Sequence, residues 1–130
     1  MRHLDTNIVN ELLKETRAAE LQFTRHYPRV AVSAIVLAEL RFAVANSARA
    51  AANTEKLDEI LRYLEVVAFD GTCAGAYGSI RKGLKDAGRP VPDADLFIAA
   101  TALAHNAVLV THNTRHFENI EGLQLEDWLA

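Results

Sequence analysis

Residues 95–111, "DLFIAATALAHNAVLVT", decide the fold. The first part, Asp95 to His105, spaces its apolar residues as a helix does. The second part, Ala107 to Thr111, is a short apolar run rich in β-branched side chains, the pattern of a buried strand. "HN" at 105–106 punctuates the two. The apolar run from Ala94 to Ala107 is broken by Asp95, Thr101, His105 and Asn106, so it is too short and too polar to cross a bilayer. A helix that feeds a buried strand is half of a βαβ unit.

Working outward, the same alternation recurs. Arg2 to Asp5 reads as a strand, Ile8 to Glu15 as a helix, and Ala18 to Tyr27 as a second helix that stops before Pro28. Arg29 to Ser33 reads as a strand, and Ser33 is placed to cap a helix from Ala34 to Ala45. After a polar turn, another helix runs to Leu64. Glu65 to Asp70 reads as a strand. Asp70 or Thr72 caps a helix that runs to Ala87 and stops at Gly88. "GRPVPDA" is a loop, and "LQLED" is a last short strand. Strands separated by helices imply right-handed crossovers. The expectation is an α/β fold: a three-layer sandwich with a mostly parallel central sheet and helices on both faces. One domain is expected over residues 1–130, without repeats.

The net charge is −3, so overall charge announces no nucleic-acid partner, and any such partner needs a local basic patch. The single cysteine, Cys73, allows no internal disulfide, and no Cys/His zinc spacing is present. The opening residues are too polar for a signal peptide. A cytoplasmic, membrane-free protein is expected.

Three acids stand out. Asp5 ends the first strand; it either caps the next helix or faces a pocket, in which case Asn7 serves as the cap. Glu39 lies inside a helix with Ile35, Val36, Phe42 and Ala43 as its neighbours one turn away, which predicts a sheet-facing position. A buried carboxylate there is costly unless something compensates. The ordinary explanations are a paired Lys or Arg, or a place at the helix edge; Arg41, two residues away, does not face it. Asp95 shares its stripe with Ile98, Ala99 and Ala102. It also suits the first turn of a helix, as does Asp93. In a parallel sheet, ligands bind beyond the carboxyl ends of the strands, which places Asp5 and Asn113, just after Thr111, on one rim. Acids that converge there repel each other unless a cation sits among them. Oxygen ligands suit Mg²⁺ or Mn²⁺, and the chemistry that follows is phosphoryl transfer with an activated water.

Four segments together, "LDTN" (Leu4–Asn7), "AEL" (Ala38–Leu40), "GRPVPDADLFIAA" (Gly88–Ala100) and "VTHNTRHFENIEGLQLEDW" (Val110–Trp128), resemble the PIN-domain ribonucleases, and among them the VapC toxins of toxin–antitoxin pairs. The resemblance spans nearly the whole chain. It implies a PIN-like sandwich, with Asp5, Glu39 and Asp95 as catalytic, metal-binding acids and Mg²⁺ (or Mn²⁺) as cofactor. Thr6, Asn7 and Thr111 then act as supports. The family's fourth position maps to Asn113, which adds no charge and leaves one or two metals open. His116 stands where many relatives carry another acid; an ordinary surface histidine is the favoured reading.

For a family member the substrate is RNA, either tRNA (initiator tRNA included) or ribosomal RNA, and the partner is a VapB-type antitoxin. A homodimer is the usual assembly. "GLQLEDW" resembles the tRNA-cutting members. Arg81, Lys85, Arg89 and Arg115 are the candidate RNA contacts, although each is also explained as solvated surface. Tyr77 or Phe117 could stack a base, with a core role favoured for both. The helices around "FTRHY" and "IVLAELRFAVA" either form an antitoxin groove or belong to the core. Competing readings are weaker. A phosphatase with Asp5 as nucleophile needs Asp-x-Asp, but position 7 is Asn. A phosphate-accepting receiver domain needs an acidic pair near the first strand, and none is visible. A PIN module that binds RNA or protein without catalysis is the alternative function.

Overall fold

The computed structural model describes residues 1–130. Five strands form one sheet: β1 (Arg2–Leu4), β2 (Val30–Ser33), β3 (Glu65–Val67), β4 (Val108–Val110) and β5 (Leu125–Glu126). Six helices connect them: α1 (Thr6–Leu13), α2 (Arg17–His26), α3 (Ala34–Ala45), α4 (Ala50–Leu61), α5 (Gly71–Asp86) and α6 (Asp93–Ala104). The sheet order is β3-β2-β1-β4-β5, and every neighbouring pair is parallel. This is sharper than the mostly parallel sheet expected.

The order dictates the layers. The chain moves from β1 outward through β2 to β3, then returns across the sheet to β4. With right-handed crossovers, α1 to α4 cover one face and α5 and α6 the other. The direction reverses between β1 and β4. At such a switch point the connections diverge and open a crevice beyond the strand ends.

Local chemistry sets the element ends. Ser33 Oγ accepts the Val36 N–H at 3.1 Å and caps α3, whose bounds match the sequence reading. Asp70 caps α5 by accepting the Cys73 N–H at 3.1 Å. Gly88, at φ +68°, turns the chain out of α5. Asn106, at φ 52°, does the same after α6, which makes the two-residue break in the opening stretch a helix stop. Helix α4 ends at Leu61, not Leu64, because Arg62, Tyr63 and Leu64 donate their N–H groups three residues back, a tighter winding.

The core is a cluster of 25 buried residues, with Leu4, Ile8, Leu40, Leu57, Ile98, Leu109 and Phe117 fully enclosed. His3 in β1 is the polar exception. It is 2% exposed, its Nδ1 has no partner, and its ring lies 5.8 Å from that of His105. Burial first, then His105, lowers its pKa to about 4. The unfolded chain therefore binds a proton below pH 6.5 that the fold refuses. Stability is complete above that pH and declines as pH falls toward 4. By urea unfolding, the wild type is expected to lose about 3 kcal/mol more than His3→Leu between pH 7 and pH 4. Parallel pH curves for the two proteins would contradict this.

Candidate active site

The site is built where β1 and β4 end side by side. The Asp5 N–H donates to the Val110 carbonyl at 2.8 Å, continuing the β1–β4 ladder one step past the strand. Asp5 then turns into α1. Its Oδ1 accepts the Thr6 N–H at 2.8 Å, and its Oδ2 accepts the Thr111 hydroxyl at 2.8 Å and the Asn7 amide at 3.4 Å. Asp5 therefore both caps α1 and faces the strand-end crevice. The expectation that Asn7 takes over the capping is not met. Asn7 lies inside α1 and accepts the His112 N–H at 3.1 Å, tying the helix to the exit of β4. Thr111 also accepts the Asn113 N–H at 3.0 Å, so one buried hydroxyl fixes Asp5 and shapes the following turn.

Glu39 enters from α3. The Thr6 hydroxyl donates to its Oε1 at 2.6 Å. Thr6 thereby touches two acids, Asp5 through its amide and Glu39 through its side chain. The sheet-facing position expected for Glu39 needs correction. The buried stripe of α3 is Val36, Leu40 and Val44, while Phe42 is 70% exposed and Ala43 faces solvent. Glu39 sits at the edge of that stripe, half-buried, because its apolar neighbours straddle the border. Arg41 pairs with Asp58 at 2.7 Å, away from Glu39.

Asp95 is half-buried in the first turn of α6, and its Oδ2 meets His116 Nδ1 at 3.2 Å. His116 is thus more than the surface histidine that the sequence suggests: it is exposed, yet paired to an acid of the site. Asn113 is exposed, and its side chain makes no hydrogen bond within the protein.

The electrostatics join these groups. Burial raises the Asp5 carboxyl above its ordinary range and the Asp95 charge raises it further; the bonds from Thr111 and Thr6, and His116, oppose the rise. Asp95 is raised by burial and by the Glu39 charge, and lowered by His116. The three carboxylates therefore share one field. As the side chains stand, no three His, Cys, Asp or Glu residues are grouped so that they could hold a metal ion. Asp95 Oδ1 and Glu39 Oε2 make no bond within the protein, so they are open oxygen donors.

The basic candidates fall into two places. Arg81, Lys85 and Arg89 line an open cavity of about 350 Å³ together with Asp93. Arg115 is exposed on the 3₁₀ turn Thr114–His116. Phe117 is 1% exposed and is core, so it cannot stack a base. Tyr77 lies flat on Phe97, 4.5 Å between ring centroids.

Sequence reading missed the role of "LEDW". Glu126 accepts Arg2 Nε and Nη2, both at 3.0 Å, and the Trp128 indole N–H at 2.6 Å. His26 stacks on Trp128 with ring centroids 5.7 Å apart. This segment closes the edge of the sheet over β1 and α2. Arg2 and Glu126 are 124 residues apart, so no local signal could have found this clasp.

A family model described as the PIN domain matches residues 3–123. The chain belongs to the PIN-domain family. Within it, the chain belongs with the VapC ribonucleases. Ribonuclease VapC2 of Rickettsia felis is 38% identical over 128 residues, 96% of each chain. The tRNA(fMet)-specific endonuclease VapC of Shigella flexneri is 32% identical over 126 residues, again 96% of each. The crystal structure of DNA-bound VapBC from Salmonella typhimurium contains a chain that superposes with TM-score 0.94 at 33% identity, over 98% of this chain and 97% of that one.

The raised acids of this PIN domain make a stability prediction. A carboxyl whose folded pKa is raised costs stability when ionised, and that cost disappears as pH falls through the folded pKa. Without divalent cations, Asp5→Asn is expected to melt above the wild type at pH 7, with the gap closing at acid pH. Thermal unfolding followed across pH measures it. A variant that melts below the wild type at every pH would show that the hydrogen bonds outweigh the burial cost.

Proposed function

We propose that the chain, a single PIN domain over residues 1–130, is an Mg²⁺-dependent endoribonuclease toxin that hydrolyses RNA phosphodiester bonds, with Mn²⁺ able to substitute. The observation that carries this reading is the shared field of Asp5, Glu39 and Asp95 at the β1–β4 switch point. Their donor set fits the ion: carboxylate oxygens suit a hard cation, and a cation offsets the burial, and the smaller mutual repulsion, that raise Asp5 and Asp95. Asp5, Glu39 and Asp95 would hold it. When bound, it supplies Lewis-acid polarisation of the phosphate and a more acidic water.

The chain's own residues do the rest. Thr6 holds Asp5 and Glu39 at a fixed separation, and Thr111 with Asn7 prevents Asp5 from rotating. Such pre-organisation lowers the reorganisation needed at the moment of reaction. Asn113, with a neutral side chain that makes no hydrogen bond within the protein, is suited to hold water or substrate as a catalytic support. Arg81, Lys85, Arg89 and Arg115 supply the local positive charge that the chain lacks overall. tRNA, and initiator tRNA within it, is the proposed substrate, supported by the name of the Shigella relative. A VapB-type antitoxin is the proposed partner, supported by the VapBC structures that this chain resembles. Phe42 of α3 is exposed, as are Tyr27 and Tyr63, which are in T-shaped contact with each other; each offers apolar surface for that partner or for a homodimer. No helix is long and apolar enough to cross a membrane, and a cytoplasmic location is proposed.

The test is cleavage of purified tRNA and rRNA by wild type, Asp5→Ala, Glu39→Gln and Asp95→Asn. Each substitution is expected to reduce cleavage about a hundredfold or more, since the ion and its ligands contribute several kcal/mol to the transition state. EDTA should abolish cleavage, and Mg²⁺ or Mn²⁺ should restore it. Cleavage that survives EDTA would remove the metal assignment, and RNA binding without any cleavage would favour the non-catalytic module.

A further inference from the structure

The cavity beside α6 carries chemistry that the acids do not use. Its walls are Arg81, Lys85, Arg89 and Asp93, over a floor that includes the nearly buried Leu84 and Leu96. Three cations, one carboxylate and an apolar base are the groups needed to hold a nucleotide: cations for the phosphate, an apolar surface for the ring, and a polar group for its edge. We propose that this cavity is a nucleotide subsite that seats one unpaired nucleotide of the RNA and prefers guanine.

The side chains are pre-set for this. The Tyr77 hydroxyl donates to Asp93 Oδ1 at 3.2 Å, and Arg81 Nη1 donates to the Tyr77 oxygen at 2.8 Å. The chain Arg81–Tyr77–Asp93 fixes the carboxylate while leaving Oδ2 without a partner. Lys85 is also without a protein partner, and Arg89 is anchored to Asn119 at 2.7 Å. The preference for guanine follows from donors and acceptors. An ionised carboxylate only accepts. Guanine alone presents two adjacent donors on its pairing edge, N1–H and the N2 amino group; adenine and cytosine place a lone pair beside their amino group, and uracil flanks its one N–H with oxygens.

The cavity and Asp95 lie on different sides of α6, and one segment of chain joins them. Asp93 and Asp95 leave the first turn of α6 about 200° apart, so they face opposite sides of one helix. The segment that follows β4 spans both sides: His116 pairs with Asp95, and three residues on, Asn119 holds Arg89. A strand that runs from the acids to the cavity therefore passes along this segment.

This inference rests on the ribonuclease reading for its RNA, but its test does not. Binding of 5′-GMP, 5′-AMP, 5′-IMP and inorganic phosphate is followed by amide NMR shifts in EDTA, with no divalent ion present. GMP should shift residues 81–96 and bind about tenfold tighter than AMP, the lower range for one bidentate contact. IMP, lacking the N2 amino group, should fall between them. Asp93→Asn should erase the preference while phosphate contact persists, and Lys85→Ala should weaken all the nucleotides alike. Lys85, Arg89 and Asp93 are exposed and carry no core packing, so each can be changed without disturbing the core. Equal binding of GMP and AMP, binding no tighter than phosphate, or shifts confined to the Asp5 region would each overturn the proposal. GMP binding in a protein that cuts no RNA would sink the ribonuclease reading alone; cleavage without GMP binding would sink the subsite alone.

Discussion

Everything in this molecule depends on β1 pairing in parallel with β4. The register places Leu4 beside Val110, and the Asp5 N–H extends the ladder onto the Val110 carbonyl. Strands separated by more than a hundred residues thus end on the same rim. Because the sheet order reverses at this pair, no crossover helix covers that rim, and a crevice stays open over it. The first acid of the site is fixed by a backbone bond of the central sheet, and its side chain inherits the rigidity of the core.

That placement has a cost, which the neighbours of Asp5 partly offset. A carboxylate that is 6% exposed is poorly solvated, and the charge of Asp95 adds to the penalty. The Thr6 amide, the Thr111 hydroxyl and the Asn7 amide answer with hydrogen bonds. Thr6 is the economical member, because its second donor reaches Glu39. A Ser or Thr after the first acid therefore couples α1 to α3 as well as starting a helix. The pKa of Asp5 remains raised, so desolvation outweighs these bonds. An arrangement of this kind is held together by the fold around it rather than by its own contacts.

Much of this was legible in the sequence, and the reasons differ by feature. The bounds of α3 followed from Ser33 and the apolar period, since a cap and a stripe are local signals. The α6–β4 break was legible because a helical stretch gives way there to a short apolar run rich in β-branched residues. Asp5 and Asp95 were legible as acids at a strand end and in a first helical turn. Glu39 was identified by an argument that was partly wrong: period places a residue relative to its own helix, but which side of the stripe is covered depends on the neighbouring elements. The Thr6–Glu39 bond, the His116–Asp95 pair and the Glu126 clasp join residues 21 to 124 apart, and no local pattern encodes them.

His116 shows what a single departure does to such a site. The PIN resemblance places an acid at this position in many relatives, and here an imidazole stands there. A fourth carboxylate beside Asp95 would add to the field that already raises Asp95 and Asp5. The imidazole acts in the opposite direction on both, lowering the carboxyl it touches and the one beyond it. Its other nitrogen, Nε2, is left without a protein partner, in a side chain that is 54% exposed. Asn113 is likewise neutral. The site therefore carries three negative charges on this chain and a hydrogen-bonding rim, so less positive charge is needed to neutralise it. The same segment, three residues on, reaches across to Arg89 through Asn119. One short stretch after β4 thus moderates the acids at one end and anchors a cation at the other, which links the chemistry of the crevice to the surface that a strand of RNA would cross.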